Sequence, residues 1–437
     1  MIIVDTALKE RETEGRPIRV GMIGAGFMAR GVANQIINGV PGMRLSAIYG
    51  RRIDRAADVF RYAHPASESV SVDTQTALDD AIAASQPVIT DDPMLLCRSR
   101  RIDAILDVTG AVDLGAQVAL EAFRHGKHVV LMNAELDATL GPILQVHART
   151  HGVLFSACDG DQPAVQINLF RFVRGIGLTP RVLGNIKGLQ DPYRTPDTQR
   201  AFAEKWGQAP SMVTSFADGS KVSFEQAVVA NATGMTVAKR GMLGLQHAEH
   251  VDTLTTRYDL DLLRELGGIV DYVVGAQPAP GVFCLAEHPD PRQRHYLNLY
   301  KLGKGPLYCF YTPYHLCHFE APNTIARLVL FDDAAGAPIG APRVEVCAVA
   351  KRDLAAGEVL DDYGHFMTYG EAVSAAERRD RRYLPEGLVK GCRVLRNIAR
   401  DSVLTFGDVT MPEGRLADRL YAEQEAHFAE AGADLAR

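Results

Sequence analysis

Apolar positions along the first third of the chain fall in short runs separated by helical stretches. Ile18 to Ile23 (I-R-V-G-M-I) is a compact run rich in β-branched residues. It passes into G-A-G-F-M-A-R-G, after which V-A-N-Q-I-I carries apolar residues at helical spacing. Such a series reads as strand, glycine turn and helix. A second strand begins at Met43 (M-R-L-S-A-I-Y), and others are predicted at Ile102 to Val108, His128 to Met132 and Val153 to Ala157. Helical patterns lie between them, over Leu114 to His125 and about Asp137 to Thr150. Strands alternating with helices predict an α/β fold, a doubly wound parallel sheet of the Rossmann kind.

Near residue 161 the pattern changes. Lys187 to Thr198 (K-G-L-Q-D-P-Y-R-T-P-D-T) is polar, holds two prolines and reads as a loop. Farther on, Q-A-V-V-A-N-A-T-G-M is small and apolar almost all round, the mark of a buried helix. Strand-like aromatics around Tyr308 to Tyr314 lead to an apolar helix near Asn323 to Phe331. Ala334 to Pro342 (A-A-G-A-P-I-G-A-P) has the composition of a linker. The predicted domains are therefore 1–160, a dinucleotide-binding domain; 161–335, an α+β catalytic and dimerisation domain; and 343–437, a small β domain ending in a charged helix.

Composition removes several classes of function. Apolar residues make up 47%, charged residues 23%, and the net charge is −6. There is no basic stripe interleaved with aromatics, so nucleic acid is not an expected partner. No apolar run has the length of a membrane span. The first residues turn charged at Asp5, which leaves no signal-peptide core. The seven cysteines are dispersed without a C-x-x-C pair, as expected of reduced core thiols in a cytoplasmic protein. Cys309 and Cys317 stand near His315 and His318 in sequence, so a soft-metal site is the competing reading there.

The glycine turn carries the first chemistry. Gly24 permits the tight turn, Gly26 lets backbone approach a pyrophosphate, and Ala29 is small enough for close helix–strand packing. Ala25, Phe27 and Met28 complete the turn, and the helix start offers N–H groups and a positive dipole end to phosphate. The second strand ends in Tyr49-Gly50-Arg51-Arg52, where an NAD enzyme carries an acid for the ribose 2′-hydroxyl. A guanidinium can clamp a 2′-phosphate, so Arg51 and Arg52 favour NADP(H) over NAD(H). In the competing reading both arginines only open the next solvated helix.

Ligands of doubly wound sheets sit at the carboxyl ends of the strands. Those ends carry Thr109-Gly110, Asn133-Ala134-Glu135 and Asp159-Gly160-Asp161-Gln162. Thr109 and Gly110 are placed at the nicotinamide ribose, and Asn133 is placed with the cofactor. Glu135, Asp161 and Gln162 are placed at the reaction space, although Glu135 also suits a helix N-terminus electrostatically.

S-F-A-D-G-S-K-V-S-F-E, from Ser215, holds Asp218, Lys221 and Glu225. On one continuous helix these three would share about 60° of arc. A lysine proton donor held between two acids fits that arrangement, and so does an N-capping aspartate before a surface Lys–Glu pair. Lys187 and Arg194 suit an anionic group, and equally a solvated loop. His315 reads as a substrate or metal ligand, or as a packing histidine.

Taken in order, G-A-G, N-A-E, G-D-Q-P, S-F-A-D-G-S-K with its following Glu, A-N-A-T-G and P-Y-H-L form a series. After them, A-V-A-K-R-D-L-A-A-G and V-L-R-N-I-A-R-D-S-V repeat a basic-Asp turn that resembles the SAF (β-clip) module. The whole series resembles the homoserine-dehydrogenase-like oxidoreductases that include type II (DXR-like) 1-deoxy-D-xylulose 5-phosphate reductoisomerase. The resemblance implies NADP(H), a homodimer and, for the reductoisomerase, Mg²⁺ or Mn²⁺, with Glu135 and Asp161 as candidate ligands. It also implies that Lys221 is catalytic with Glu225 and Asp218, and that Lys187 and Arg194 take a phosphate. Arg51-Arg52 depart from that family's acidic turn. The expected activity is NADPH-dependent chemistry on a small hydroxy-carbonyl compound: rearrangement then reduction, or hydride transfer alone. A binding protein without catalysis is the alternative from another class.

Overall fold

A computed structural model describes residues 3–434. Strands β1 (Ile18–Ile23), β2 (Met43–Tyr49), β3 (Val70–Ser71), β4 (Val88–Thr90), β5 (Ala104–Asp107), β6 (His128–Leu131) and β7 (Phe155–Ala157) form one sheet. Its order is β3-β4-β2-β1-β5-β6-β7, and every neighbouring pair is parallel. The chain winds outward from β1 in one direction and then returns to β5 on the other side. The switch point, where a doubly wound sheet takes its ligand, thus lies between the ends of β1 and β5. The two outermost strands on the β2 side, β3 at the edge and β4 beside it, have two and three residues, too short to leave a periodic signal in the sequence.

A second sheet has the order β12-β11-β8-β10-β9, from β8 (Thr179–Lys187), β9 (Leu245–Gln246), β10 (Ile269–Val274), β11 (Gly281–Glu287) and β12 (Leu307–Thr312). It is mixed: β10 runs parallel to β8 and β9, while β11 runs antiparallel to β8 and β12. Lys187 ends β8 rather than sitting in the loop expected for it. The loop that follows closes at a capping box, Thr195 with Thr198, which starts the helix Pro196–Trp206.

By packing, the chain divides into two compact units, each assembled from separate stretches. One compact unit runs to Asp161 and takes back Leu316–Ala337 and the chain from Arg419; the other comprises Gln162–His315 and Pro338–Asp418. The return has a physical cause. Helix Cys317–Phe331 buries Ala321, Ile325, Ala326 and Leu328 in the first unit's core with Val32 and Ala33 of helix Phe27–Gly39. The terminal helix contributes Gln424. Its side chain accepts from Ile143 N at 3.2 Å and donates to Thr139 O at 3.2 Å, the two groups left apart where Pro142 interrupts helix Ala134–Thr150.

The C-terminal strands β13 (Val344–Ala350) and β14 (Thr368–Ser374) pair antiparallel, as do β15 (Arg393–Val394) and β16 (Val409–Thr410). Around them Leu354, Leu360, Leu384, Val394 and Leu404 make a small core of their own. This module is nevertheless part of the second unit. It zips along helix Ser220–Thr233: Gly370 N donates to Ser220 Oγ and Ser223 Oγ to Gly370 O, both at 2.9 Å. Asn231 Oδ1 accepts from Arg343 N and Val344 N, and Phe224 meets Tyr363 edge-on at 5.7 Å. Twelve of that helix's fourteen residues are buried. No helix among the described residues is long and apolar enough to cross a membrane.

Candidate functional site

The glycine turn is built as a phosphate cradle. Gly24 has φ +122°, and a side chain there would press on Val108 and Thr109 at 3.1–3.2 Å. Gly26 has open space where a side chain would project. The helix Phe27–Gly39 starts on Gly26 with no side-chain cap and no acid in its first turn. Its leading N–H groups and dipole are therefore available to an anion, so the residues fit a dinucleotide pyrophosphate. His318, from helix Cys317–Phe331, stacks edge-on against Phe27 at 5.5 Å and occupies the space over Gly31. Burial holds its imidazole below the usual range.

At the end of β5 the organising residue is one that sequence patterning passed over, Asp107. Its Oδ1 accepts from Thr109 N at 2.8 Å and Thr109 Oγ1 at 2.6 Å; its Oδ2 accepts from Asn133 Nδ2 at 2.9 Å. Asn133 also caps helix Ala134–Thr150 by accepting from Leu136 N at 3.1 Å. Thr109 and Asn133 thus shape the strand-end loop through Asp107. Complete burial pushes the Asp107 carboxyl up to about 6 against those hydrogen bonds. The one signal in the sequence was an acid inside the apolar run A-I-L-D-V.

Arg51 and Arg52 part company. Arg52 is exposed and forms a two-pronged pair with Asp54 at 2.5 and 3.1 Å. Arg51, beside Tyr49, makes no such pair among the described residues and is the one available to a 2′-phosphate.

Glu135 and Asp161 are both buried, as is Asp137, which sequence reading did not single out. Neither carboxyl oxygen of Asp137 has a hydrogen-bond partner. Burial, reinforced by Asp161, pushes its carboxyl up to about 8, so it carries its proton at neutral pH. Among the described residues no three His, Cys, Asp or Glu side chains converge as a metal would require. The Mg²⁺ or Mn²⁺ expected at Glu135 and Asp161 therefore lacks a fitting ligand set. The soft-metal reading fails on the same ground. Cys309 directs its thiol to Val251 O at 3.6 Å and Cys317 to Gly160 O at 3.0 Å, and His315 is half-buried in the turn after β12.

The second unit holds the lysines. The helix expected to carry all three charges is broken. Helix Pro210–Asp218 ends at Asp218, Gly219 turns left-handed at φ +98°, and a new helix starts at Ser220. Asp218 consequently leaves the arc of Lys221 and Glu225. Its Oδ1 accepts from Ser220 N at 2.9 Å and its Oδ2 from Lys351 Nζ at 2.8 Å. Burial raises its carboxyl, with Lys351 opposing. Asp218 is thus paired with Lys351 and does not lie on the arc expected for it.

Lys221 and Glu225 remain one turn apart on the buried helix, at 7% and 4% exposure. Glu225 Oε2 accepts from Asn185 Nδ2 at 2.9 Å. Asn185 also donates to Gln162 Oε1 at 2.7 Å and accepts from Gln166 Nε2 at 2.9 Å. Gln162 therefore sits with Glu225 in the second unit, while its sequence neighbour Asp161 belongs to the first. Lys187 joins the lysine side. Burial lowers its ammonium, Glu225 and Asp218 oppose that, and Lys221 adds to it. Arg194 is tied to Asp191 at 3.0 Å, which leaves Lys187 the better anion ligand of the expected two.

A parallel sheet with an uncapped glycine turn at its switch point, and a second unit with a buried lysine–carboxylate set, define an NAD(P)-dependent oxidoreductase. Residues 18–131 match the family model described as oxidoreductase family, NAD-binding Rossmann fold (GFO/IDH/MocA), and residues 160–321 match oxidoreductase DRL, catalytic domain. Each model covers less than half of the chain, and both are models of oxidoreductase domains. No curated protein matches its sequence. Among solved structures, a 3-ketoreductase from Actinomadura kijaniata with NADP and TDP-benzene, in an open conformation, is 17% identical, with 74% of this chain and 92% of that one covered and a TM-score of 0.38. The scyllo-inositol dehydrogenase of Lactobacillus casei is 15% identical, covering 62% and 66%, with a TM-score of 0.32. Biliverdin reductase from Synechocystis sp. PCC 6803 is 22% identical over 40% of this chain, with a TM-score of 0.27, and the chain spans about half its length, 48%.

Proposed function

We propose that the protein is an NADP(H)-dependent oxidoreductase of small hydroxy-carbonyl compounds that bear an anionic group, with Lys221 as the proton donor. The observation that carries this reading is the buried Lys221–Glu225 pair, oriented by Asn185 and accompanied by a second lysine, Lys187. When bound, the dinucleotide supplies hydride to the carbonyl carbon. Lys221 gives its proton to the oxygen that gains charge, so the product is a neutral hydroxyl. Glu225 is the one acid on the same helix, a turn from Lys221. Lys187 binds the anionic group as a point charge. Arg51 clamps the 2′-phosphate, which supports NADP(H) over NAD(H).

Within this reading the sequence resemblance places 1-deoxy-D-xylulose 5-phosphate first among substrates. That reaction needs a divalent metal, and Glu135 with Asp161 does not form its ligand set. Hydride transfer without rearrangement, as in homoserine dehydrogenases, requires none, and we take it as the reading the side chains favour. A homodimer, a cytoplasmic location and the SAF-like nature of the C-terminal module remain part of the proposal.

The test is a panel of hydroxy-carbonyl compounds, including homoserine and 1-deoxy-D-xylulose 5-phosphate, followed by absorbance of the reduced cofactor. NADP(H) and NAD(H) are run in parallel, each with and without Mg²⁺. Turnover that survives a chelator supports the reading. Turnover only with metal restores the rearrangement version. Tight dinucleotide binding with no turnover on any member points to a sensor.

A further inference from the structure

The C-terminal module delivers one side chain into the heart of the second unit. Lys351 follows β13 and is 4% exposed. Its ammonium donates all three of its hydrogens: to Arg194 O at 2.9 Å, Asp218 Oδ2 at 2.8 Å and His365 O at 2.8 Å. Those acceptors lie on three segments: the loop that leaves Lys187, the junction just before Lys221, and the module itself. We propose that Lys351 is a positioning residue for the Lys187–Lys221 pair, fixing the two segments that carry it and cancelling the charge of Asp218 beside it.

The charges around this link allow only a narrow reading. Asp218 acts on Lys187 together with Glu225 and Lys221. From the module, Glu386 and Asp361 also face the Asp218–Lys351 pair. Glu386 accepts from Thr368 Oγ1 at 2.9 Å and is otherwise enclosed; burial raises its carboxyl well above the usual range, which weakens its competition for Lys351. Asp361 accepts from Phe366 N and Met367 N and serves its own loop. Arg194 is paired to Asp191 and lends Lys351 only its carbonyl. Lys351 is therefore the one cation bonded to Asp218 among the described residues. Without it the carboxylate would act on Lys187 uncompensated and favour its charged form.

The inference rests on the reading of Lys187 and Lys221 as working lysines, and its test needs no substrate. Competitive amine acylation with acetic anhydride, read by peptide mass spectrometry across pH, reports the titration of Lys187 directly. Lys351→Met should raise that titration by about one pH unit, a tenfold lower labelling rate at fixed pH. Asp218→Asn should move it the other way, and the double variant should bring it back to the wild-type position. Circular dichroism and thermal melting of the full chain serve as the folding control. If Lys351→Met does not fold, the near-isosteric Asp218→Asn still decides the matter. An unchanged Lys187 titration in the single variants, or a double variant that stays displaced, overturns the proposal. Failure of the substrate panel leaves this result intact and sinks only the functional reading.

Discussion

Asn185 Nδ2 lies 2.9 Å from Glu225 Oε2, and both side chains are buried. Strand β8 thereby fixes the acid that accompanies Lys221, and Gln162 and Gln166 fix Asn185 in turn. Asn185→Leu leaves three polar groups without this partner. It should cost about 2–3 kcal/mol in urea unfolding, because a buried group left unsatisfied loses its desolvation compensation. Turnover should fall at least about tenfold through misorientation of Glu225.

The two glycines of the phosphate turn should behave differently. Gly26 has room for a methyl group at an ordinary φ, whereas Gly24 has neither room nor a φ that other residues adopt easily. Gly26→Ala should melt like the wild type yet bind NADPH more weakly, because the methyl group holds the pyrophosphate off the backbone. Gly24→Ala should lose about 1–3 kcal/mol of stability even without ligand. Thermal melts and NADPH fluorescence titrations of both variants check the contrast.

Arg51 and Arg52 are neighbours with unequal prospects. Arg51→Ala should weaken NADPH binding about tenfold or more, the worth of a charge-assisted hydrogen bond, and leave NADH unchanged. Arg52→Ala should change neither, because its guanidinium is already engaged with Asp54. Dissociation constants for both cofactors, measured for both variants, decide this.

Asp137 gives the pH dependence a sign. Its folded carboxyl titrates at about 8, well above the ordinary aspartate value of 3.8. Between those values the folded state binds more protons than the unfolded state, so this residue makes stability fall as pH rises. The contribution is fully present below pH about 4 and is gone once pH passes about 8. Asp137→Asn removes the ionisable group, and its unfolding free energy should decline less than the wild type's from pH 5 to pH 8. Equal slopes in parallel denaturation series would contradict the assignment.

The dinucleotide unit was largely legible because its information is local. Glycine spacing, a β-branched run and helical periodicity all lie within about thirty residues, the span of a strand–helix–strand unit. The second unit was not, for reasons particular residues show. Lys187 looked like loop because Gly188 and two prolines follow it, yet it pairs with Val274 at the end of β8. The shared arc of Asp218, Lys221 and Glu225 assumed a continuous helix. Gly219 was the visible warning, since a glycine between two helical stretches invites the left-handed turn found there. Lys351 meets Asp218 across 133 residues of sequence, and no local pattern encodes such a pairing. The C-terminal module looked separable because its strands and linker are self-contained. Its attachment depends on small residues, Gly370 against Ser220 and Ser223, which carry no periodic signal.

The central claim is that Lys221 supplies the proton in a hydride transfer. The most direct measurement is kcat of Lys221→Met against wild type, on the best substrate of the panel, with the NADPH dissociation constant measured alongside. The account predicts a fall of at least about a hundredfold in kcat with cofactor affinity unchanged, as for loss of a positioned general acid. A variant that turns over within about threefold of wild type would contradict it, since a positioned general acid contributes far more than that.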